Sequence, residues 1–251
     1  MRVTILFLAI LTLSFIQVNA QWYSQFEDST LYFLGVSFTN HNNGIAVGTS
    51  YDSTTTIGHP SIIFKTSDAG ANWQLDSFST AAQLYSISSY DEENLLAVGE
   101  YSTIARTTNG GISWIEEESS LFNSFSAVEY LDLNTQIVAG SGGMMLKTTN
   151  SGNQWNLIST GTLDGLTDMH FFDYSRGICI GLNGAIIVTT DGGENWGSIV
   201  SGTNAHLTSL NFFGSDNGII VGAYGTVLYT ANGGLNWIVR NNPTDKSLSS
   251  F

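Results

Sequence analysis

Carboxylates are the most abundant groups in this sequence that could do chemistry. Twenty-one Asp and Glu residues stand against seven Lys and Arg, for a formal net charge of −14. Two carboxyl groups facing each other across a cleft are the minimum for hydrolysing a glycosidic bond. Asp91-Glu92-Glu93, Glu116-Glu117-Glu118, Asp164, Asp168 and Asp173 offer such groups. Their spacing selects no pair, and the two runs read as solvated strand edges and loops, where charge discourages aggregation. No catalytic residue is assigned on this basis. His41, His59, His170 and His206 share no metal-ligand spacing and read as surface or loop histidines. The sequence calls for no metal and no cofactor, since neither a phosphate loop nor a dinucleotide fingerprint is present. The single cysteine, Cys179, excludes an intramolecular disulfide. It lies in the apolar run Gly177–Gly181 and reads as a small buried hydrophobe.

The elements that would position these groups come from a repeat. Trp73, Trp114, Trp155, Trp196 and Trp237 are spaced 41 residues apart, and Trp22 precedes Trp73 by 51. The segments before them agree in detail: KTSDAGANW (Lys65–Trp73), RTTNGGISW (Arg106–Trp114), KTTNSGNQW (Lys147–Trp155), VTTDGGENW (Val188–Trp196) and YTANGGLNW (Tyr229–Trp237). A second block ends at Gly48, Gly99, Gly140, Gly181 and Gly222, again with one step of 51 and three of 41. The ten extra residues fall after Gly48, in the Ser- and Thr-rich stretch Thr49–Ser61, which reads as an enlarged loop.

Each unit reads as four strands. Leu207–Phe212 alternates with period two, as a half-buried strand does. Runs such as Ile219–Val221 are short and β-branched between glycines, which suits a strand buried on both faces. Gly181–Gly184 and Gly222–Gly225 are tight hairpin turns by composition. The Asp/Asn-Gly-Gly segment turns the chain again, and the Trp opens the fourth strand. Four antiparallel strands in 41 residues, repeated, predict an all-β fold: a β-propeller of four-stranded blades, with five repeats and partial strands at both ends. The expected units are about 27–77, 78–118, 119–159, 160–200 and 201–241, with 242–251 opening a further blade of a six- or seven-bladed whole. Apolar residues stand 11 and 14 positions beyond each Trp, and after Trp237 those offsets reach Leu248 and Phe251. The tryptophans read as staples. Each could bury roughly 150–250 Å², on the order of 4–6 kcal/mol as an upper bound.

The first twenty residues have a different use. Met1-Arg2, an apolar run from Val3 to Phe15 and the small-x-small site Val18-Asn19-Ala20 form a secretory signal, with cleavage expected after Ala20. The mature chain is expected to be secreted, periplasmic or at the cell surface, with no membrane span. It keeps six basic residues and a net charge near −15. That balance excludes nucleic acid and anionic membrane as partners and suits a cationic one.

The Thr-x-Asp/Asn-x-Gly-x-x-Trp segments resemble the Asp-box, or BNR repeat, of sialidases, some other glycoside hydrolases, sortilin-type receptors and the photosystem II assembly and stability factor family. The fuller pattern AVGxxGxIxxTxDGGxxW, with a basic residue before the Thr, is most similar to the last of these across essentially the whole mature chain. The resemblance makes Asp68, Trp73, Asn109, Trp114, Asn150, Trp155, Asp191, Trp196, Asn232 and Trp237 the structural repeat motif. It implies a secreted, non-enzymatic module that binds a protein or cell-surface component, and a role in photosynthesis for its photosynthetic members, which use a basic patch. Lys65, Arg106 and Lys147 share one phase on successive units and are the matching candidates for partner binding; Val188 and Tyr229 break the series. The alternative is a glycoside hydrolase acting on a glycan. A sialidase-like one would need an arginine triad, whereas Arg106, Arg176 and Arg240 lie at three different phases.

Overall fold

The computed structural model describes residues 30–50, 60–117, 123–240, 242 and 244–249. The expected leader, Trp22, His59, Glu118, most of the enlarged loop and Phe251 lie outside the described residues.

Five four-stranded antiparallel sheets follow one another along the chain, each in simple up-and-down order. Blade 1 consists of Leu31–Phe38, Gly44–Ser50, Ser61–Thr66 and Gln74–Leu75. Blade 2 is Leu84–Ser89, Asn94–Gly99, Ile104–Thr108 and Ile115–Glu117. Blade 3 is Phe125–Tyr130, Gln136–Gly140, Met145–Thr148 and Asn156–Ile158. Blade 4 is Leu166–Phe171, Gly177–Gly181, Ile186–Thr189 and Gly197–Ser198. Blade 5 is Leu207–Phe213, Asn217–Gly222, Val227–Thr230 and Ile238–Arg240. The first strands contact one another in succession and surround the axis, and the short fourth strands form the outside. This is the expected propeller.

The burial of each strand follows from its place. Second strands are the most buried, along their whole length in Gln136–Gly140 and Gly177–Gly181, because alternate side chains face the blades on either side. Ile45, Val47 and Ile63 of blade 1 pack on Leu84, Ile87, Ala97 and Trp114 of blade 2. Leu96, Val98 and Ile104 of blade 2 meet Phe125, Val128 and Val138 of blade 3. Cys179 is fully buried in the next such interface, with Ile137, Met145 and Met169. One face of blade 1 has no blade before it among the described residues. Phe33 and Val36 there are 42% and 59% exposed, while Leu84, Phe125, Leu166 and Leu207, at the phase of Phe33, are at most 1% exposed. At the other end the contact pattern continues: Thr208 Oγ1 donates to Leu248 O at 2.6 Å, as Thr167 Oγ1 does to Leu207 O at 2.8 Å.

The box turn is closed by a buried threonine. Thr148 Oγ1 donates to Asn150 Oδ1 at 2.9 Å and accepts from the backbone N–H of Asn150 and Gly152. Asn150 Oδ1 in turn accepts from Gln154 N at 2.9 Å. The same bonds recur around Thr66–Asp68, Thr107–Asn109, Thr189–Asp191 and Thr230–Asn232. Only one oxygen of the Asp or Asn is needed, and both residue types supply it. That is why the acid is dispensable at three of the five boxes.

Two glycine phases are set by close approach. A Cβ on Gly181 would stand 2.3 Å from Gly165 O, and on Gly99 1.8 Å from Gln83 O, so the second strand can end there only without a side chain. Gly44, Gly177 and Gly218 lie beneath the rings of Phe38, Phe171 and Phe212, and a Cβ would approach those rings to 2.6–2.8 Å. Where blades 2 and 3 carry Ser89 and Tyr130 instead of Phe, the glycine is Leu95 and Gln136. These phenylalanines also take the edge of the box indole, with centroids 6.0 Å apart for Phe38–Trp73, Phe171–Trp196 and Phe212–Trp237. Trp114, opposite Ser89, stacks on Phe78 instead.

The box chemistry sets an order of sensitivity. Thr148→Val leaves two backbone donors of the turn without their acceptor and should cost about 1–3 kcal/mol in urea unfolding. Asp191→Asn keeps the bonds to Oδ1, as Asn232 has them in blade 5, and loses only the exposed bond from Asn195 Nδ2 to Oδ2, so it should cost about 0.5 kcal/mol or less. Equal losses for the two would contradict this account of the turn.

Candidate functional site

Each blade presents two ends. At one end the first hairpins meet the box turns. A second repeated device closes those hairpins: Asn40, Asp91, Asp132 and Asp173 each accept two backbone N–H bonds at 2.7–2.9 Å from residues two and three positions on. Such side chains mimic a backbone turn. The box loop then docks on the hairpin, for example through Gly192 N to Ser175 O and Gly110 N to Glu93 O. Asp91 and Asp173, which composition offered for acid chemistry, are thus engaged in turns of different blades. Hydrogen bonds hold both carboxyls below the usual range, with Arg176 the main cause for Asp173, while backbone and side-chain bonds from Asn94 outweigh burial at Asp91.

Lys65, Arg106 and Lys147 sit at one phase of the third strands; the heads of Lys65 and Lys147 reach the following blade directly, and Arg106 acts through Glu117. Lys147 Nζ donates to Gly192 O at 2.8 Å and pairs with Glu194 at 2.6 Å, with only 5% of its surface exposed. Lys65 reaches Gly111 O and Asp76. Arg106 pairs with Glu117 at 2.8 Å, and the other oxygen of Glu117 accepts from Trp155 Nε1 at 2.6 Å. At the next phase Val188 joins the apolar cluster between blades 4 and 5. The three bases therefore serve as clamps between blades, and Glu117, placed by composition on a solvated edge, completes one of them.

The first strands place two carboxylates by the axis. Glu129 of blade 3 is contacted by Ser88 Oγ at 3.5 Å, and burial, then the neighbouring Asp168, pushes its carboxyl up to about 7. Asp168 of blade 4 accepts from Met169 N and from Leu210 N of blade 5, both at 2.8 Å. Burial still raises its carboxyl above the usual range. His170 is not a loop histidine. It lies on the first strand of blade 4, with its ring 5.3 Å from Phe212 and 4.9 Å from Phe172, and burial lowers its basicity. Among the described residues no group of three or more His, Cys, Asp or Glu is placed to hold a metal.

At the opposite end, the second hairpins use turns whose two central residues have positive φ. Asn183-Gly184 and Gly142-Gly143 suit this; Tyr101-Ser102 and Tyr224-Gly225 place tyrosines there, 67% and 79% exposed. His206 Nδ1 accepts from Asn183 N at 3.2 Å, and Asp164 takes the Asn183 amide at 2.7 Å. The sequence carried a signal for the Asx turns, since Asn40, Asp91, Asp132 and Asp173 follow the same 51-then-41 spacing as the tryptophans.

Glu129 gives a pH signature. Its folded value of about 7 lies above the ordinary glutamate value of 4.5, so the folded state holds this proton where the unfolded chain has lost it. Stability linked to Glu129 is complete below about 4.5 and is lost as pH rises through about 7. Relative to the parent, Glu129→Gln should gain melting temperature between pH 5 and pH 8. Parallel pH curves for the two proteins would contradict the burial of this carboxyl.

The arrangement has known counterparts. The sequence model of the family described as photosynthesis system II assembly factor YCF48 matches residues 71–163 and 153–244. Among the solved structures that match is YCF48 bound to D1 peptide, at 19% identity over 88% of this chain and 85% of that one, with a TM-score of 0.49. YCF48 from Cyanidioschyzon merolae aligns at 14% identity over 88% of each chain, with a TM-score of 0.59. The GH74 enzyme of Niastella koreensis aligns at 17% identity over 82% of this chain but 38% of its own length, with a TM-score of 0.66. At these identities the likeness is one of fold. No curated protein matches in sequence. With the family match spanning most of the repeats, the chain belongs to the photosynthesis system II assembly factor YCF48 family.

Proposed function

We propose that this protein is a non-enzymatic binding or assembly module that works outside the cytoplasm on a protein partner. Family membership supports the assembly role, and the leader sequence supports export. The observation that carries the reading is how the fold uses its acids. Asp91 and Asp173 close hairpins, Asp68 and Asp191 close boxes, Asp168 bridges two first strands, and Asp164 holds a neighbouring turn. Candidates for hydrolytic chemistry are thereby distributed over separate blades in load-carrying contacts. The likeness to GH74 enzymes concerns fold and does not move an active site onto these residues.

Two measurements test this. Amino-terminal sequencing of the exported protein should begin at Gln21, and a mature chain still starting at Met1 would contradict secretion by cleavage. Immobilised protein should retain one saturable partner from the envelope or secreted fraction, at a dissociation constant of roughly 1 μM, and should release no sugar from xyloglucan or sialoside panels. Catalytic turnover of either glycan, abolished by replacing an acid pair, would overturn the non-enzymatic reading.

A further inference from the structure

A cavity of about 550 Å³ opens beside the axis, between the first strands. One wall is apolar: Phe33, Leu34 and Val36 of blade 1, each 42–59% exposed. The facing wall consists of Ser126, Thr167, Thr208, Ser209 and one carboxylate, Asp168. No Lys, Arg or His is among the described residues that line it. Of the six basic residues described, five are engaged elsewhere, and the sixth, Lys246, is exposed and outside the lining. Lys65, Arg106, Lys147 and Arg176 pair with Asp76, Glu117, Glu194 and Asp173, and Arg240 lies over the Tyr229 ring.

Asp168 is held firmly. One oxygen accepts from Met169 N and the other from Leu210 N, each at 2.8 Å, so the carboxylate cannot turn away. The Ser209 side chain also bonds the carboxylate, which leaves one lone-pair site for a guest. A partly buried anion without a counter-ion is costly, and a guest cation relieves that cost directly. The apolar wall indicates the guest's other half. A hard metal ion would want several oxygens around it and would gain nothing from Phe33, Leu34 and Val36. An alkyl stem ending in a charged nitrogen satisfies both walls, with the stem on the apolar side and the head on Asp168 and the serine hydroxyls.

We propose that this axial cavity receives a lysine or arginine side chain carried on an apolar segment of the partner polypeptide. The proposal rests on the protein-binding reading and adds the chemistry of the contact. The overall charge of the chain, −14, favours the same kind of guest at long range.

The test uses the full chain and a blocked pentapeptide with a central lysine between leucines, titrated by calorimetry at low salt. Saturable binding is expected, and replacing the lysine by norleucine should weaken it by about tenfold or more. Asp168→Asn should weaken it by a similar factor. Ser126→Trp, which fills the cavity and leaves the Asp168 carboxylate in the chain, should abolish it even if the Asp168 variant fails to fold; thermal melts report folding of each. Asp245→Asn, an exposed acid outside the lining, should bind as the parent does. Absence of binding, equal affinity for the norleucine peptide, or unchanged binding in Ser126→Trp would overturn the proposal. If the peptide fails while the captured partner is still retained, only this proposal falls; if no partner is retained either, the module reading falls with it.

Discussion

A threonine hydroxyl buried in each box turn is the constraint on which the blades depend. The residue is at most 6% exposed in every blade, and its hydroxyl answers two backbone N–H groups of the turn. With those donors satisfied, the third strand can turn sharply into the fourth, and the Trp arrives at a fixed place. That placement lets the indole meet the phenylalanine at the end of the first strand in blades 1, 4 and 5, and in blade 2 stack on Phe78 against the face of the blade before. Stacking and turn closure are therefore one device seen from two sides.

Charge is used sparingly and locally in this architecture. The acids tie turns, and three of the bases tie one blade to the next. Lys147 shows the principle: its ammonium is buried, which is tolerable only because Gly192 O and Glu194 both receive it. Val188 does the same positional task between blades 4 and 5 by apolar contact, so the fold requires contact at that phase and not a charge. Asp168 differs from the other acids in facing a cavity as well as a strand, which makes it the place where an outside charge can enter the network.

Much of this was legible in the sequence because repeats are their own controls. The five tryptophans, the strand-ending glycines and the interchange of Asp and Asn each declared a structural role by recurring. Thr66, Thr107, Thr148, Thr189 and Thr230 recurred too, at the head of each box, but which backbone groups they bond was not legible, since threonine is at home in any strand. The Asx turn at Asp91 was obscured by the acids that follow it, Glu92 and Glu93. The phase of Lys65, Arg106 and Lys147 was visible, but their direction was not, because a strand position fixes the face of a side chain and not the reach of a long one. Glu129 and His170 were unreadable for another reason: alternation marks them as polar positions on a half-buried strand, while burial near the axis depends on the neighbouring blades.

The most direct measurement of the central claim is amide hydrogen exchange at the box glycines. Gly70, Gly111, Gly152, Gly193 and Gly234 lie in surface-facing turns, yet each donates its N–H to a buried threonine hydroxyl. If those hydroxyls hold the blades, all five amides should exchange as slowly as the second-strand amides, and together, through global unfolding. Fast exchange at these glycines, at the rate of ordinary loop amides, would show that the turns open freely and that the blades are held by something else.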